Sequence, residues 1–166
     1  MGDVGLKLFA IIFLVSVFAV AAEPTVPSLP SSTGAVVAPA ASAIVGKWKT
    51  IDDETGKPKS VVEIFEENGS FSGKIVKIFK EPNEDQNPKC DKCVGDKKDK
   101  QIIGMQILSG LKKDGDKFSG GDIMDPNNGK TYSCKAEVVD NGAKLKLRGF
   151  IGFSLLGRTQ TWIREP

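Results

Sequence analysis

Residues 130–150 read KTYSCKAEVVDNGAKLKLRGF, and the pattern of this stretch predicts the fold. Leu145 and Leu147 alternate with basic side chains after a turn sequence, Asp-Asn-Gly, at 140–142. Because successive side chains of a strand point to opposite faces, the pattern is typical of an antiparallel hairpin with one buried face. The inward side of its first strand is predicted to consist of Tyr132, Cys134, Ala136 and Val138.

The same alternation, interrupted by turn sequences, recurs from residue 46 almost to the end of the chain. Eight antiparallel strands can close on themselves and enclose either side chains or one small ligand. We therefore expect an all-β fold, an eight-stranded antiparallel up-and-down β-barrel, with an open β-sandwich as the alternative. The predicted strands are 46–51, 60–66, 70–79, 102–109, 117–124, 130–139, 143–150 and 155–164.

The first 43 residues differ in composition from the rest of the chain. Residues 1–22 contain a fifteen-residue apolar stretch closed by small residues, which is typical of a cleavable signal peptide, with an uncleaved anchor as the alternative. Residues 23–43 are rich in Pro, Ala and Ser and predict a disordered linker. The sequence thus predicts a secreted or periplasmic protein with no transmembrane span in the mature chain and a single domain over 44–166.

Composition excludes several functional classes. The chain contains no histidine, so catalytic triads and sites built on imidazole are excluded. A net charge of +2 does not provide the basic surface that nucleic-acid binding requires. Neither a phosphate-binding loop nor a pair of carboxylates in an apolar setting is evident. We expect a non-catalytic protein with no catalytic residues and no cofactor.

Two of the three cysteines lie in a polar insertion over 80–101, which carries six lysines and six acidic residues and is expected to be solvated. In an oxidising compartment, Cys90 and Cys93 are expected to form a local disulfide. A redox-active pair and a zinc site are the alternatives. A zinc site needs about four ligands, which the chain does not supply, so no metal is expected. Cys134 is expected to be a small buried side chain.

An apolar run over 150–156, flanked by basic residues, is the candidate contact region. It forms either a buried end of the barrel or an apolar rim that admits a ligand or contacts a membrane or partner. An arginine that pointed into a cavity there would hold a carboxylate or phosphate group. The candidate ligand or partner contacts are Tyr132, Arg148, Phe150, Phe153 and Trp162.

Gly46-Lys47-Trp48 opens the first predicted strand, and Arg158 and Arg164 lie on the last. This arrangement resembles the structural signature of the calycins, which include lipocalins, fatty-acid-binding proteins and avidins. The resemblance implies that the tryptophan packs under an arginine of the last strand and closes one end of the barrel, with a cation–π contact between them. Gly46, Trp48, Arg158 and Arg164 are therefore the candidate barrel-closing residues.

A second resemblance covers roughly residues 44–165. The Cys-x-x-Cys, Asp-Pro-x-x-Gly-Lys-x-Tyr and Arg-Gly-x-x-Gly…Gly-Arg-Thr-Gln-x-Trp blocks occur in the order found in the bacterial exported proteins grouped as domain of unknown function 2147. This resemblance implies an exported bacterial barrel of calycin-like type, and it implies no reaction, substrate or cofactor.

We expect the protein to bind a small apolar or amphipathic molecule, or a partner protein, in the cell envelope. Two alternatives belong to other classes. One is a thiol–disulfide or metal-handling protein that uses Cys90 and Cys93. The other is a barrel without a cavity that serves as a structural or assembly module.

Overall fold

A computed structural model describes residues 43–166. The predicted signal peptide at 1–22 and all but the last residue of the predicted linker at 23–43 lie outside the described residues. Over residues 43–166, none of the helical segments could span a membrane. The strands are β1 (Gly46–Ile51), β2 (Pro58–Glu67), β3 (Ser70–Ile78), β4 (Gln106–Asp114), β5 (Lys117–Asp125), β6 (Lys130–Val139), β7 (Lys144–Phe150) and β8 (Arg158–Arg164).

The eight strands form a closed antiparallel barrel in chain order. Each strand pairs with the next, and β8 pairs back with β1, where Trp48 lies opposite Arg164 and Lys49 lies opposite Ile163. The backbone N–H of Glu165 adds a hydrogen bond of 2.9 Å to the carbonyl of Lys47. The predicted eight-stranded barrel is confirmed, and the open β-sandwich is wrong.

Two of the predicted strands are displaced. The fourth was expected at 102–109, but it begins at Gln106 because the residues before it form a turn. In that turn the N–H of Met105 donates to the carbonyl of Ile102 over 3.1 Å, and Gly104 adopts φ +88°, which favours glycine. The last strand, expected at 155–164, begins at Arg158 because Ser154–Leu156 forms a single 3₁₀ turn.

The up-and-down order assigns the connections alternately to the two ends of the barrel. The segment before β1 and the β2–β3, β4–β5 and β6–β7 turns lie at one end, which we call the closed end. The β1–β2, β5–β6 and β7–β8 connections and the long β3–β4 insertion lie at the other, which we call the open end.

Trp48 fills the closed end. Its side chain is fully buried, and its indole N–H donates to the carbonyl of Ile44 over 2.8 Å. The guanidinium carbon of Arg164 lies 4.1 Å from the centroid of the indole ring. Gly46 leaves room for this arginine, since a Cβ there would come within 2.8 Å of its Nη1 and the backbone adopts φ +130°.

Arg164 also joins three segments of the closed end. Its Nε donates to the carbonyl of Gly142 over 2.6 Å, and its Nη1 donates to the carbonyl of Val45 over 3.1 Å. Its Nη2 donates to the carbonyl of Ala43. The guanidinium therefore fastens the segment before β1 and the β6–β7 turn to the last strand, in addition to covering Trp48.

Apolar side chains fill the barrel interior next to the closed end. Phe71 and Phe118 pack edge to face with ring centroids 5.2 Å apart, and Leu145 and Trp162 are almost completely buried beside the other core residues. This part of the barrel is solid, so any space for a ligand lies toward the open end.

We expect Arg164→Leu to lower the free energy of unfolding by about 2 to 4 kcal/mol, because it removes the cation–π contact and leaves three carbonyl groups without their donor. Arg158→Leu, on the same strand, is the control. Arg158 is mostly exposed and should contribute little to stability. Urea unfolding followed by tryptophan fluorescence measures both, and equal losses would contradict the distinct role of Arg164.

Candidate functional site

A cavity of about 840 Å³ lies at the open end of the barrel. Side chains from β1, β2, β5, β6, β7, β8 and the adjoining turns line it. The alternative of a barrel without a cavity is therefore wrong. The volume is within the range of about 300 to 1,000 Å³ that is typical of small-molecule sites.

One side of the cavity is polar. It is formed by three neighbouring strands, β8, β1 and β2, with the turn that joins the last two. We call this side the polar arc; it consists of Thr50, Asp52, Asp53, Lys59, Ser60, Arg158 and Gln160.

The opposite side is apolar. It is formed by β5, β6 and β7, which are also consecutive in the barrel, and by the loop after β7. We call this side the apolar arc; Ile123, Tyr132 and Leu147 face inward from it, Phe150, Ile151 and Leu156 border its rim, and Met124 packs behind it against Cys93. The polar β5–β6 turn lies at its rim.

Alternate residues of β8 build a hydrogen-bonded row along the polar arc. Arg158 at the rim and the side-chain amide of Gln160 both donate to Oδ2 of Asp53, the amide over 3.0 Å. Gln160 Oε1 in turn accepts the indole N–H of Trp162 over 3.1 Å. The row therefore connects a charged rim to the buried core beneath the cavity.

Two hydroxyl groups lie deeper in the polar arc. Thr50 Oγ1 and Ser60 Oγ are 2.8 Å apart, and the backbone N–H of Ser60 donates to Thr50 Oγ1 over 3.0 Å. Both residues are buried, although they lie on an otherwise apolar inner face. They place hydrogen-bonding groups inside the barrel, below the charged rim.

Two rim carboxylates are engaged by their own turns. Oδ1 of Asp52 accepts the N–H groups of Glu54 and Thr55, at 3.1 and 2.9 Å, and the Thr55 hydroxyl at 2.9 Å. These bonds from Thr55 hold the pKa of Asp52 below its ordinary value. Oδ1 of Asp125 similarly accepts the N–H of Asn127 over 3.0 Å. Both carboxylates therefore stabilise hairpin turns.

Cys90 and Cys93 form a disulfide, which packs against the β5–β6 connection. A sulfur of Cys93 lies 3.7 Å from the sulfur of Met124, and that of Cys90 lies 3.4 Å from the carbonyl oxygen of Pro126. Both cysteines are buried. The insertion is thus solvated only in part, and its disulfide supports the outside of a cavity wall.

Gly129 permits this close packing. It adopts φ +71°, and a Cβ at this position would lie 1.9 Å from the carbonyl oxygen of Lys92, between the two bonded cysteines. The backbone of the insertion therefore rests directly on the β5–β6 turn.

Comparison with known proteins identifies the family. The model of an uncharacterized protein family conserved in bacteria, DUF2147, matches residues 46–164. The chain belongs to the DUF2147 family. In the comparison with curated proteins, nothing matches this sequence.

A solved structure shares the fold of this DUF2147 chain. It is protein HP1028 from the human pathogen Helicobacter pylori, described as belonging to the lipocalin family. The two chains are 25% identical and have a TM-score of 0.63; the match covers 74% of this chain and 82% of that chain. The expected calycin-like architecture is confirmed.

Tyr132 and Phe150, predicted as ligand contacts, both border the cavity, but only Tyr132 lies on the inner face, because Phe150 shares the outer face of β7 with Arg148. Trp162 is almost completely buried, and it reaches the cavity only through its hydrogen bond to Gln160. Phe153 does not line the cavity and is 79% exposed. It belongs to the loop after β7, whose other large apolar side chains, Ile151, Leu155 and Leu156, are also exposed.

Arg148 does not point into the cavity, and its role as a ligand or partner contact stays a prediction. Leu147 faces inward, and Arg148, the next residue on β7, faces outward. Its Nε and Nη2 donate to the carbonyls of Ser154 and Leu155 over 2.7 and 3.1 Å, and its Nη1 donates to Thr159 Oγ1 over 2.9 Å. Arg148 therefore holds the β7–β8 loop in place.

Arg158 does not close the barrel, which corrects the second half of the predicted arginine pair. It lies six residues before Arg164 on β8, at the opposite end of the strand, and pairs with Asp53 at the cavity rim. Of the two arginines, Arg164 is the one that closes the barrel. Arg158 instead supplies a positive charge to the polar arc.

Sequence reasoning missed Gln160, Thr50, Ser60 and Asp53. The sequence could have placed Gln160 on the inner face, because it lies between Arg158 and Trp162 and alternation assigns all three residues to one face of the strand. Alternation could likewise have placed Thr50 on the inner face, because it lies two residues after Trp48. Nothing local assigns Asp53 to the cavity, since its partner Arg158 lies 105 residues away in the chain.

We expect Gly129→Ala to destabilise the protein by about 1 to 3 kcal/mol more than Gly142→Ala, because only the first brings a methyl group against the insertion. Gly142 is a matched control. It also has a positive φ, +90°, but a Cβ there has open space. Thermal or urea unfolding measures both variants, and equal losses would show that the insertion does not rest on the β5–β6 turn.

Burial, with a smaller effect of Asp122, raises the pKa of the Cys134 thiol from 9.0 to about 12. Between these values the unfolded chain releases a proton that the folded chain retains, so stability falls as pH rises, by at most about 1.4 kcal/mol per pH unit. Cys134→Ala removes this contribution. Between about pH 8 and about pH 10, the free energy of unfolding measured in urea should therefore fall more for the native protein than for the variant. Equal decreases would show that the thiol is exposed to solvent in the folded protein.

Proposed function

We propose that this protein binds a small amphipathic molecule in the cavity at the open end of its barrel. The observation that carries the proposal is the lining of that cavity. The cavity has a volume of about 840 Å³, with the polar arc on one side and the apolar arc on the other. Sites for small molecules combine apolar walls with a few placed polar groups, and this cavity has both. A lipocalin-like neighbour supports the same reading.

We propose further that the protein acts by binding and not by catalysis. Of the four carboxylates that line the cavity, Asp52 and Asp125 are engaged by their own turns and Asp53 by Arg158, and Glu54 is exposed to solvent. General acid–base catalysis needs a group that exchanges a proton near neutral pH, and the lowered pKa of Asp52 disfavours this role. The raised pKa of Cys134 likewise keeps its thiol protonated and unreactive.

The proposed site of action is the cell envelope, with bacterial export through the N-terminal signal predicted at 1–22. The pairing of Cys90 with Cys93 supports this, because disulfides persist in oxidising compartments. A thiol–disulfide exchange function for the same pair is less well supported. An attacking thiolate must reach a sulfur atom, and here both cysteines are buried, the more exposed of them at 3%.

Gly149→Leu tests the proposed function by filling the cavity. Gly149 lines the cavity, and a Cβ there makes ordinary contacts, at 3.5 Å from Tyr132 and 3.6 Å from Ile123, so the variant should fold. Lys146→Leu, on the exposed outer side of the same strand, is the control. Titration with the fluorescent probe anilinonaphthalene sulfonate should give saturable binding to the native protein and the control, and at least tenfold weaker binding to Gly149→Leu.

The comparison of the native protein with Gly149→Leu is needed because the exposed apolar loop after β7, which both proteins carry, also attracts such probes. If Gly149→Leu binds the probe as well as the native protein does, the cavity is not the site and the proposed function fails. Mass spectrometry of small molecules extracted from protein purified from its own cells provides the second readout. A compound should be retained by the native protein and lost from Gly149→Leu.

A further inference from the structure

The two sides of the cavity divide its polarity across the barrel, and this division restricts the shape of the ligand. Strands β8, β1 and β2 contribute the polar arc, and β5, β6 and β7 contribute the apolar arc. Because each group of strands is consecutive, the arcs are continuous surfaces and not scattered residues. A ligand at this site therefore meets polar groups along one side and hydrocarbon along the other.

The polar arc extends well below the rim. Ser60 and Thr50 are buried, at 9% and 7% exposure, and Gln160 lies between the rim and Trp162. Gln160 and Ser60 retain hydrogen-bonding capacity, whereas the Thr50 hydroxyl is engaged by the backbone and hydroxyl of Ser60. The Gln160 amide has two hydrogens, of which one goes to Asp53, and the Ser60 hydroxyl bonds Thr50 once.

A single-chain amphiphile fits this lining poorly. Its polar group lies at one end, so its hydrocarbon chain would rest against Ser60 and Gln160 along the polar arc. Covering hydrogen-bonding groups with hydrocarbon removes water from them and offers no replacement, which weakens binding. A molecule that is polar along one face and apolar along the other satisfies both arcs at once.

We infer that the ligand is a compact, rigid ring molecule with hydroxyl or similar hydrogen-bonding groups on one face and hydrocarbon on the opposite face. The inference rests on the proposed function and specifies its ligand class. The apolar face packs on Leu147, Tyr132 and Ile123, and the polar face bonds Gln160 and Ser60. Rigidity favours binding as well, because fewer internal rotations are lost.

Three steroid acids test the inference, since they share one ring system and one carboxylate. Cholate carries three hydroxyls on one face, deoxycholate carries two and lithocholate carries one. Hydrophobicity alone predicts that lithocholate binds tightest. We expect the reverse order, with cholate about tenfold tighter than lithocholate, the difference that two ordinary hydrogen bonds produce. Dodecanoate, a single-chain acid, should bind more weakly than cholate.

The affinities are measured by isothermal titration calorimetry below the micellar concentrations, with the native chain and four variants, of which Gly149→Leu is the cavity-filling one. Gln160→Leu should abolish the preference for cholate, whereas Thr161→Leu, on the exposed outer side of the same strand, should retain it. Ser60→Ala is a second and milder variant, should Gln160→Leu fail to fold after Trp162 loses its partner. It should reduce the same preference.

The outcomes separate the two proposals. Tightest binding of lithocholate or dodecanoate, with Gly149→Leu abolishing it, overturns the inferred ligand class and leaves the proposed function standing. A preference for cholate that persists in both Gln160→Leu and Ser60→Ala also overturns the inference. Absence of binding for all four compounds and for the fluorescent probe overturns the proposed function together with the inference.

Discussion

The fold depends on the seam between its first and last strands. Only two residue pairs, Trp48 with Arg164 and Lys49 with Ile163, form the ladder between β1 and β8. A ladder this short leaves little backbone hydrogen bonding to hold the barrel shut. The Arg164 side chain adds what the ladder lacks, because it covers the indole of Trp48 and binds the carbonyls of Val45 and Gly142.

The same seam explains why the two ends of the barrel differ. At the closed end, Trp48 and Arg164 fill the interior and leave no room for a ligand. At the open end, β8 presents Gln160 and Arg158 on that inner face, and the core gives way to a cavity. One strand thus contributes a closing arginine at one end and a binding surface at the other, because alternate residues of a strand share a face.

The disulfide and Arg148 shape the cavity from outside. Cys90 and Cys93 press against the connection that carries Met124, and Arg148 holds the loop that carries Ile151 and Leu156. Neither device contacts the interior directly. Both nevertheless fix the position of residues that line it, so the cavity depends on the highly charged insertion, whose sequence does not suggest a binding role, as well as on the apolar run over 150–156.

Much of this architecture followed from local patterns. Alternation and turn chemistry predicted the eight strands and the buried faces of β6 and β7, because strand periodicity and turn preferences depend on near neighbours. The displaced start of β4 shows the limit of that reasoning. Residues 102–105 are apolar enough for a strand, but the positive φ of Gly104 and a tight turn delay it to Gln106.

By itself, the sequence determined an eight-stranded antiparallel barrel, a tryptophan and arginine suited to close it, and a pair of cysteines near enough to bond. Only the tertiary structure decided which arginine closes the barrel, that Arg148 faces outward to hold a loop, and that Asp53 meets Arg158 across 105 residues. The reason is physical. Alternation assigns a residue to a face, whereas the height of that residue along the barrel, and the partner it meets there, depend on strand register and on closure of the whole sheet.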